Sequence, residues 1–415
     1  MTAASSLLER RPARHAEIVL GPPLLCGPRI LHLVRDRRTG KDYEIGEKEH
    51  FVIERLDGSR TLSEIGTEYA RRYGRRLEES SWRQLLTLLA QRNLLDGGPV
   101  PAREPSPRPA ASAASEGRSN RFRGELVFGD PTALLEWVHR RLRFLFSPYF
   151  LVPLLAVLAG MEVHLALHAR ELWHGIGAMY AQPELAMIAF SLLWASTGLH
   201  ELAHGLTCRH FGGRATEVGM RWNLPMVYMY CQADDFLLFR PRWHRVATAS
   251  AGVVANLVFL LPFLPLWILL PKGDVTRDSI GAMLLIGSVK AALNYLPLPG
   301  LDGYVMLQNA LNATRLSAET ARYLRLLGRR RRSGKQAALR YPTRARVHHI
   351  GFALLLTLVL SALAGSALAL LEAEVPDRYH TLAAAGFAAV LAAMAGSSVL
   401  RARHARRAAA AATVA

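Results

Sequence analysis

His200, Glu201 and His204 form an H-E-x-x-H pattern inside a largely apolar run, Ser196-Thr-Gly-Leu-His-Glu-Leu-Ala-His-Gly205. Two histidines four positions apart on a helix lie about 40° apart around the axis and about 6 Å apart along it, so both imidazoles can reach one ion. Glu201 points to a neighbouring face and need not be a ligand; it can take a proton from water that Zn2+ acidifies to a pKa of about 7. The plain alternative is a chance match in a chain with 15 histidines. Setting His, Glu and His in an apolar span costs on the order of several kcal/mol unless something binds them, which argues for a metal site.

Zinc at a catalytic site needs a third protein ligand and one position left open for water. The best-placed residue is Asp302, in Asn294-Tyr-Leu-Pro-Leu-Pro-Gly-Leu-Asp-Gly303. Of the apolar spans described below, the second and fourth run in the same sense and bring His200, His204 and Asp302 to the same end, a condition for sharing an ion. The other role open to Asp302 is a cap on the turn after the Pro-Gly break. Pro297, Pro299 and Gly300 interrupt the helix, and unwound backbone at membrane depth is tolerated where protein or a cavity covers it. A substrate-facing strand or loop is expected there.

The elements that must carry these residues are read from composition. The 415 residues are 51% hydrophobic, yet 51 Lys+Arg against 33 Asp+Glu leave a net charge of +18. The apolar content excludes a disordered chain, and three cysteines (Cys26, Cys208, Cys231) without C-x-x-C spacing give no disulfide scaffold or zinc knuckle. A membrane span needs about 20 mostly apolar residues. Six segments qualify, near 147–168, 185–207, 246–270, 279–299, 347–371 and 380–400. Lys290 in the fourth and the charged motif in the second make those two the weakest by hydropathy.

Positive residues sort onto alternate connections: Arg140, Arg141 and Arg143 before the first span, Arg209 to Arg245 between the second and third, the run at 329–332 between the fourth and fifth, and Arg401 to Arg407 after the sixth. This distribution predicts a multi-pass protein of the inner (cytoplasmic) membrane with both termini cytoplasmic. It accounts for the charge through the lipid bilayer, and no nucleic acid is expected as partner. No long apolar segment precedes Pro22-Pro23, so no cleavable signal is expected.

Ahead of the spans, residues 28–97 read as the core of a small amino-terminal domain, 1–97. Ile30–Val34 and Tyr43–Ile45 flank Arg37-Arg38-Thr39-Gly40 as a hairpin. Three helical stripes follow, the second opened by Thr61 with Glu64 three residues on. A hairpin with three short helices predicts a winged-helix α+β domain. Residues 98–120, rich in Pro, Ala and Ser, read as a flexible linker, and 121–415 as the six-span membrane domain.

H-E-x-x-H in one span with N-x-x-P-x-x-x-L-D-G in a later one resembles the site-2 protease class of intramembrane zinc metalloproteases. The continuation from His204 through Cys208-Arg-His-Phe-Gly-Gly-Arg214, then Met229-Tyr-Cys-Gln-Ala-Asp-Asp235, looks closer to its bacterial peptide zinc metalloprotease branch. The resemblance implies a mainly α six-helix transmembrane bundle in which His200, His204 and Asp302 bind zinc, Glu201 is general base and acid, and Asn294 holds substrate or the oxyanion. One departure is Val253, where the family pattern usually has Pro after Ala-Gly. Without that Pro the third span is less prone to kink, which bears on gating rather than on the zinc ligands. Asn256, on the same span, reads as an interhelical hydrogen bond.

Residues 46–51, 56–65 and 94–97 are similar to PqqD-like domains, the peptide-recognition modules of ribosomal peptide maturation. Together the resemblances imply a metalloprotease that removes the leader of a precursor peptide. Two alternatives stand beside it: regulated cleavage of a membrane-anchored signalling protein, and capture or export of peptide by a metal-binding protein that does not cut.

Overall fold

The computed structural model describes residues 7–96, 123–223, 226–328 and 338–374. The expected linker, 98–120, and the expected sixth span, 380–400, lie outside the described residues. The chain divides into two compact units, 1–349 and 350–415.

The first unit begins with an antiparallel sheet in the order β1 (Ile18–Cys26), β2 (Arg29–Asp36) and β3 (Lys41–Gly46), followed by α1 (Glu47–Arg55), α2 (Leu62–Tyr73) and α3 (Glu79–Gln91). The expected hairpin is β2–β3, with Val34 opposite Tyr43. β1 starts ten residues before the expected core boundary. Pro22-Pro23 reads locally as a break, but β1 is an edge strand and its register shifts between Leu20 and Pro23, the setting in which a sheet tolerates residues without an N–H. Ile18, Leu20, Val34, Val52, Ile53, Leu62, Ile65 and Trp82 close one core. Thr61 and Glu64 form the expected capping box on α2.

A second sheet, in the order β4 (Arg123–Gly129), β5 (Glu217–Asn223) and β6 (Met226–Gln232), joins segments about a hundred residues apart. α4 (Thr132–Leu142) leads from β4 to the long apolar helices. Among the described residues, four helical segments are long and apolar enough to cross a membrane: α5 (Pro148–Leu167), α7 (Pro183–His210), Arg242–Leu269, and Thr343–Leu371. The third divides into α8 (Arg242–Leu260) and α9 (Phe263–Leu269) around Pro262. α8 runs unbroken past Val253, in keeping with the missing Pro.

The expected fourth span corresponds to α10 (Val275–Asn294), which ends three residues before Pro297. Hydropathy alone does not mark it as a span because it carries Arg277, Asp278 and Lys290, and its buried face mixes Met283 and Leu284 with small and polar residues such as Ser279, Gly281, Gly287 and Ser288. Its Lys290 donates to the Thr197 hydroxyl (2.8 Å), and Ser288 donates to Glu162 of α5 (2.9 Å). Along α10 lies α6 (Ala169–Tyr180), a helix in what the sequence presents only as a connection. The Leu172 and Met179 stripe and the close approach of Gly175 to the Asp278 carbonyl hold it there.

After α10, the residues 295–301 form a turn rather than a strand. α11 (Asp302–Ala310) and α12 (Leu316–Gly328) follow, and α13 (Thr343–Glu374) extends into the second unit. The expected substrate-facing loop is therefore a short connection, and the strand nearest the H-E-x-x-H helix is β6.

Candidate metal centre

α7 buries a stripe at Ala186, Ala189, Leu193, Ser196 and His200, spaced by three and four. That stripe turns His200 inward, and His204 follows one turn later. α10 ends at Asn294 and the chain turns back so that Asp302 opens α11 beside both histidines. His200 Nε2 and His204 Nε2 are 3.2 Å apart. Asp302 Oδ2 lies 3.0 Å from the first, and Asp302 Oδ1 lies 3.7 Å from the second. One ligand atom from each of the three residues falls within 4.8 Å of the others, so the group could hold a metal ion.

The fit can be tested on the donor set. Two nitrogens each about 2.05 Å from a tetrahedral ion stand about 3.3 Å apart, close to the separation seen here. The outer nitrogens must then carry the protons. His204 Nδ1 donates to the Thr248 carbonyl of α8 at 2.7 Å, which leaves Nε2 with its lone pair. Beside His200 the partner is Asn256 of α8, whose Nδ2 is 3.0 Å from Nδ1 and whose Oδ1 accepts from Ser196 Oγ at 3.2 Å. An amide can present oxygen or nitrogen to the ring, and only the oxygen leaves Nε2 of His200 free for a metal. In that orientation Ser196 gives its proton to the Leu193 carbonyl, 3.1 Å away, and accepts from the amide nitrogen. Asn256 does bridge two helices, as its sequence position suggests, but its neighbour is a metal-ligand candidate.

Gly252 of α8 is the residue that sequence reasoning passed over. A Cβ there would come within 2.5 Å of Nε2 of both His200 and His204, in the space where the nitrogens converge. The signal available in the sequence is its place one turn after Thr248 and one before Asn256, on the buried stripe of α8. Gly252→Ala is expected to lower metal content at least tenfold while leaving the circular dichroism of the purified protein unchanged. Full occupancy in that variant would show that the histidines converge differently when an ion is bound.

Glu201 lies on the flank of α7 that meets β6. Its Oε2 accepts the backbone N–H of Cys231 at 3.2 Å. The strand can approach this closely because Gly205, one turn on, has only a hydrogen where a Cβ would strike Cys231 Sγ at 2.9 Å. β6 is held in turn through Tyr230, whose hydroxyl donates to Glu217 and whose ring carries the Arg221 guanidinium at 4.0 Å. Burial, with Glu125 and Glu217 beside it, pushes the Tyr230 hydroxyl well above its ordinary value, so it remains a donor. Asn294 is beside the cluster: its Nδ2 is 3.5 Å from Asp302 Oδ2.

The fold and site define a mainly helical protein with, among the described residues, four helical segments long and apolar enough to cross a membrane and a His–His–Asp group that could hold a metal ion. No protein-family description, curated protein or solved structure matches the chain.

Proposed function

We propose that the protein is a membrane-embedded zinc metalloprotease with a six-helix bundle of site-2 protease type, both termini in the cytoplasm, cutting a peptide bond near the cytoplasmic face of the inner membrane. The observation that carries this reading is the meeting of His200, His204 and Asp302 at one point, with Glu201 next to the first of them and not itself in the cluster. When bound, zinc would polarise a carbonyl and lower the pKa of water. Glu201 takes the proton of the attacking water and returns it to the leaving amine, so that the C–N bond breaks with charge balanced. The Cys231 N–H fixes one oxygen of that carboxylate, leaving the other to carry the proton. Asn294 is the residue assigned to the substrate carbonyl or its oxyanion.

The proposed substrate is a ribosomally made precursor peptide whose leader is captured by residues 28–97, the core of the amino-terminal domain, and then cut off. Supporting this, β3 is an edge strand of the first sheet, able to add an extended peptide through backbone hydrogen bonds. A cavity of about 280 Å³ between α1, α2 and α3, lined by Val52, Tyr69, Leu77 and Leu85, is available to side chains. The test is hydrolysis by zinc-loaded protein in lipid vesicles, comparing a precursor peptide encoded beside the gene with the same peptide lacking its leader. The leader-bearing form is expected to be cut about tenfold faster at low concentration, because capture raises the local concentration of the scissile bond. Equal rates would remove leader capture, and no cleavage of either would favour a metal-binding protein that captures or exports peptide.

A further inference from the structure

The amino-terminal segment reaches the metal centre through two chains of contacts. Asp235, just beyond β6 and only 4% exposed, accepts Arg35 Nη1 at 2.9 Å and Arg37 Nη2 at 3.1 Å. It also accepts the backbone N–H of Arg214 at 3.1 Å. Arg35 is on β2 and Arg37 follows it, and Arg35 is steered by Asp42 of β3 through a bond from Nε of 2.6 Å. Four residues before Asp235 is Cys231, the N–H donor to Glu201. The second chain starts at the end of β1. Leu25 N donates to the Asn312 carbonyl at 2.7 Å, and Thr314 N donates to the Leu25 carbonyl at 2.9 Å. Asn312 Oδ1 receives the guanidinium of Arg245, a fully buried residue of α8. Three residues further on is Thr248, whose carbonyl holds His204.

We infer that Asp235 is a positioning residue through which docking of the amino-terminal segment sets β6 and so orients Glu201. The inference rests on the proposed hydrolysis only for the role of Glu201. A buried carboxylate that loses its guanidinium partners carries its charge with only the Arg214 N–H left to offset it, which favours a shift of the segment toward water. Ala233 is buried between Cys231 and Asp235, so little slack separates that shift from the strand. The Arg35 and Arg37 pairs thus make the amino-terminal sheet part of the support of the site. The second chain acts on α8 and the histidines rather than on Glu201.

The chain carries its own reporters. Cys231 is half-buried on β6, whereas Cys208 is fully buried on α7. The experiment compares thiol alkylation at the two cysteines and amide exchange over residues 226–232 in full-length protein in detergent. The variants are Arg35→Met with Arg37→Met, Asp235→Asn, and Arg35→Lys as the charge-keeping control. Alkylation of Cys231 and exchange of β6 are expected to rise at least fivefold in the first two. Cys208 should stay as protected as in wild type, and Arg35→Lys should recover most of the Cys231 protection. Unchanged Cys231 in Asp235→Asn overturns the inference. So does equal exposure of Cys208 and Cys231, which marks general loosening. Should the double Met variant fail to fold, Asp235→Asn, which keeps the shape of the side chain, decides alone. Neither readout needs metal or peptide, so the inference can fail while the protease reading stands, and the reverse.

Discussion

Protein purified in detergent is expected to hold about one zinc per chain, and His200→Ala, His204→Ala and Asp302→Ala are each expected to lose it. The effect should be large because each variant leaves two ligands where a catalytic zinc uses three. The outer contacts, His204 Nδ1 with the Thr248 carbonyl and His200 Nδ1 with the Asn256 amide, hold the imidazoles in place, so little ordering cost offsets binding in the wild type. Elemental analysis of the four proteins, with competition against a chelator of known affinity, measures it. Retention of zinc in Asp302→Ala alone would point to another third ligand. A well-folded wild type that takes up no zinc would undercut the protease reading altogether.

Glu201→Gln is expected to keep the zinc and lose at least about a thousandfold in peptide hydrolysis, within the range for removal of a general acid and base. Glutamine has the same shape, and its amide oxygen can still accept the Cys231 N–H, so β6 need not move. What disappears is the capacity to carry the proton from water to the leaving amine. Rates on any cleaved peptide, beside zinc content of the same preparation, separate the two effects. Activity surviving in Glu201→Gln with full metal would assign the proton transfer to another group.

Much of this site could be read before folding. The 200/204 spacing fixes two imidazoles on one face of any helix, and the apolar stripe of α7 predicts which face is buried. Depth made Asp302 a candidate, since a fourth span running in the same sense as the second delivers the residues after it to the same end as His204, but a turn cap remained open to it until the chain was folded. What the sequence missed is β1, which starts ahead of the expected core boundary because Pro22-Pro23 is accommodated on a sheet edge. The fourth span, weak by hydropathy, carries polar groups that find partners only on folding: Ser288 on α5 and Lys290 on α7.

The sequence by itself determined the types of the candidate ligands, the helical spacing of the two histidines, the capping of α2 and the apolar lengths, because each depends on residues close together along the chain. Only the tertiary structure decided that β4 pairs with β5 across the whole of α4 to α7, that β6 then supplies an N–H to Glu201, that Gly252 faces the converging Nε2 atoms of the histidines and that Asn256 stands behind His200. It alone joined Arg35 to Asp235, two hundred positions apart. Strand register, helix crossing and buried ion pairing are set by which surfaces meet. That choice is made by burial summed over the whole chain, and no local period in the sequence records it.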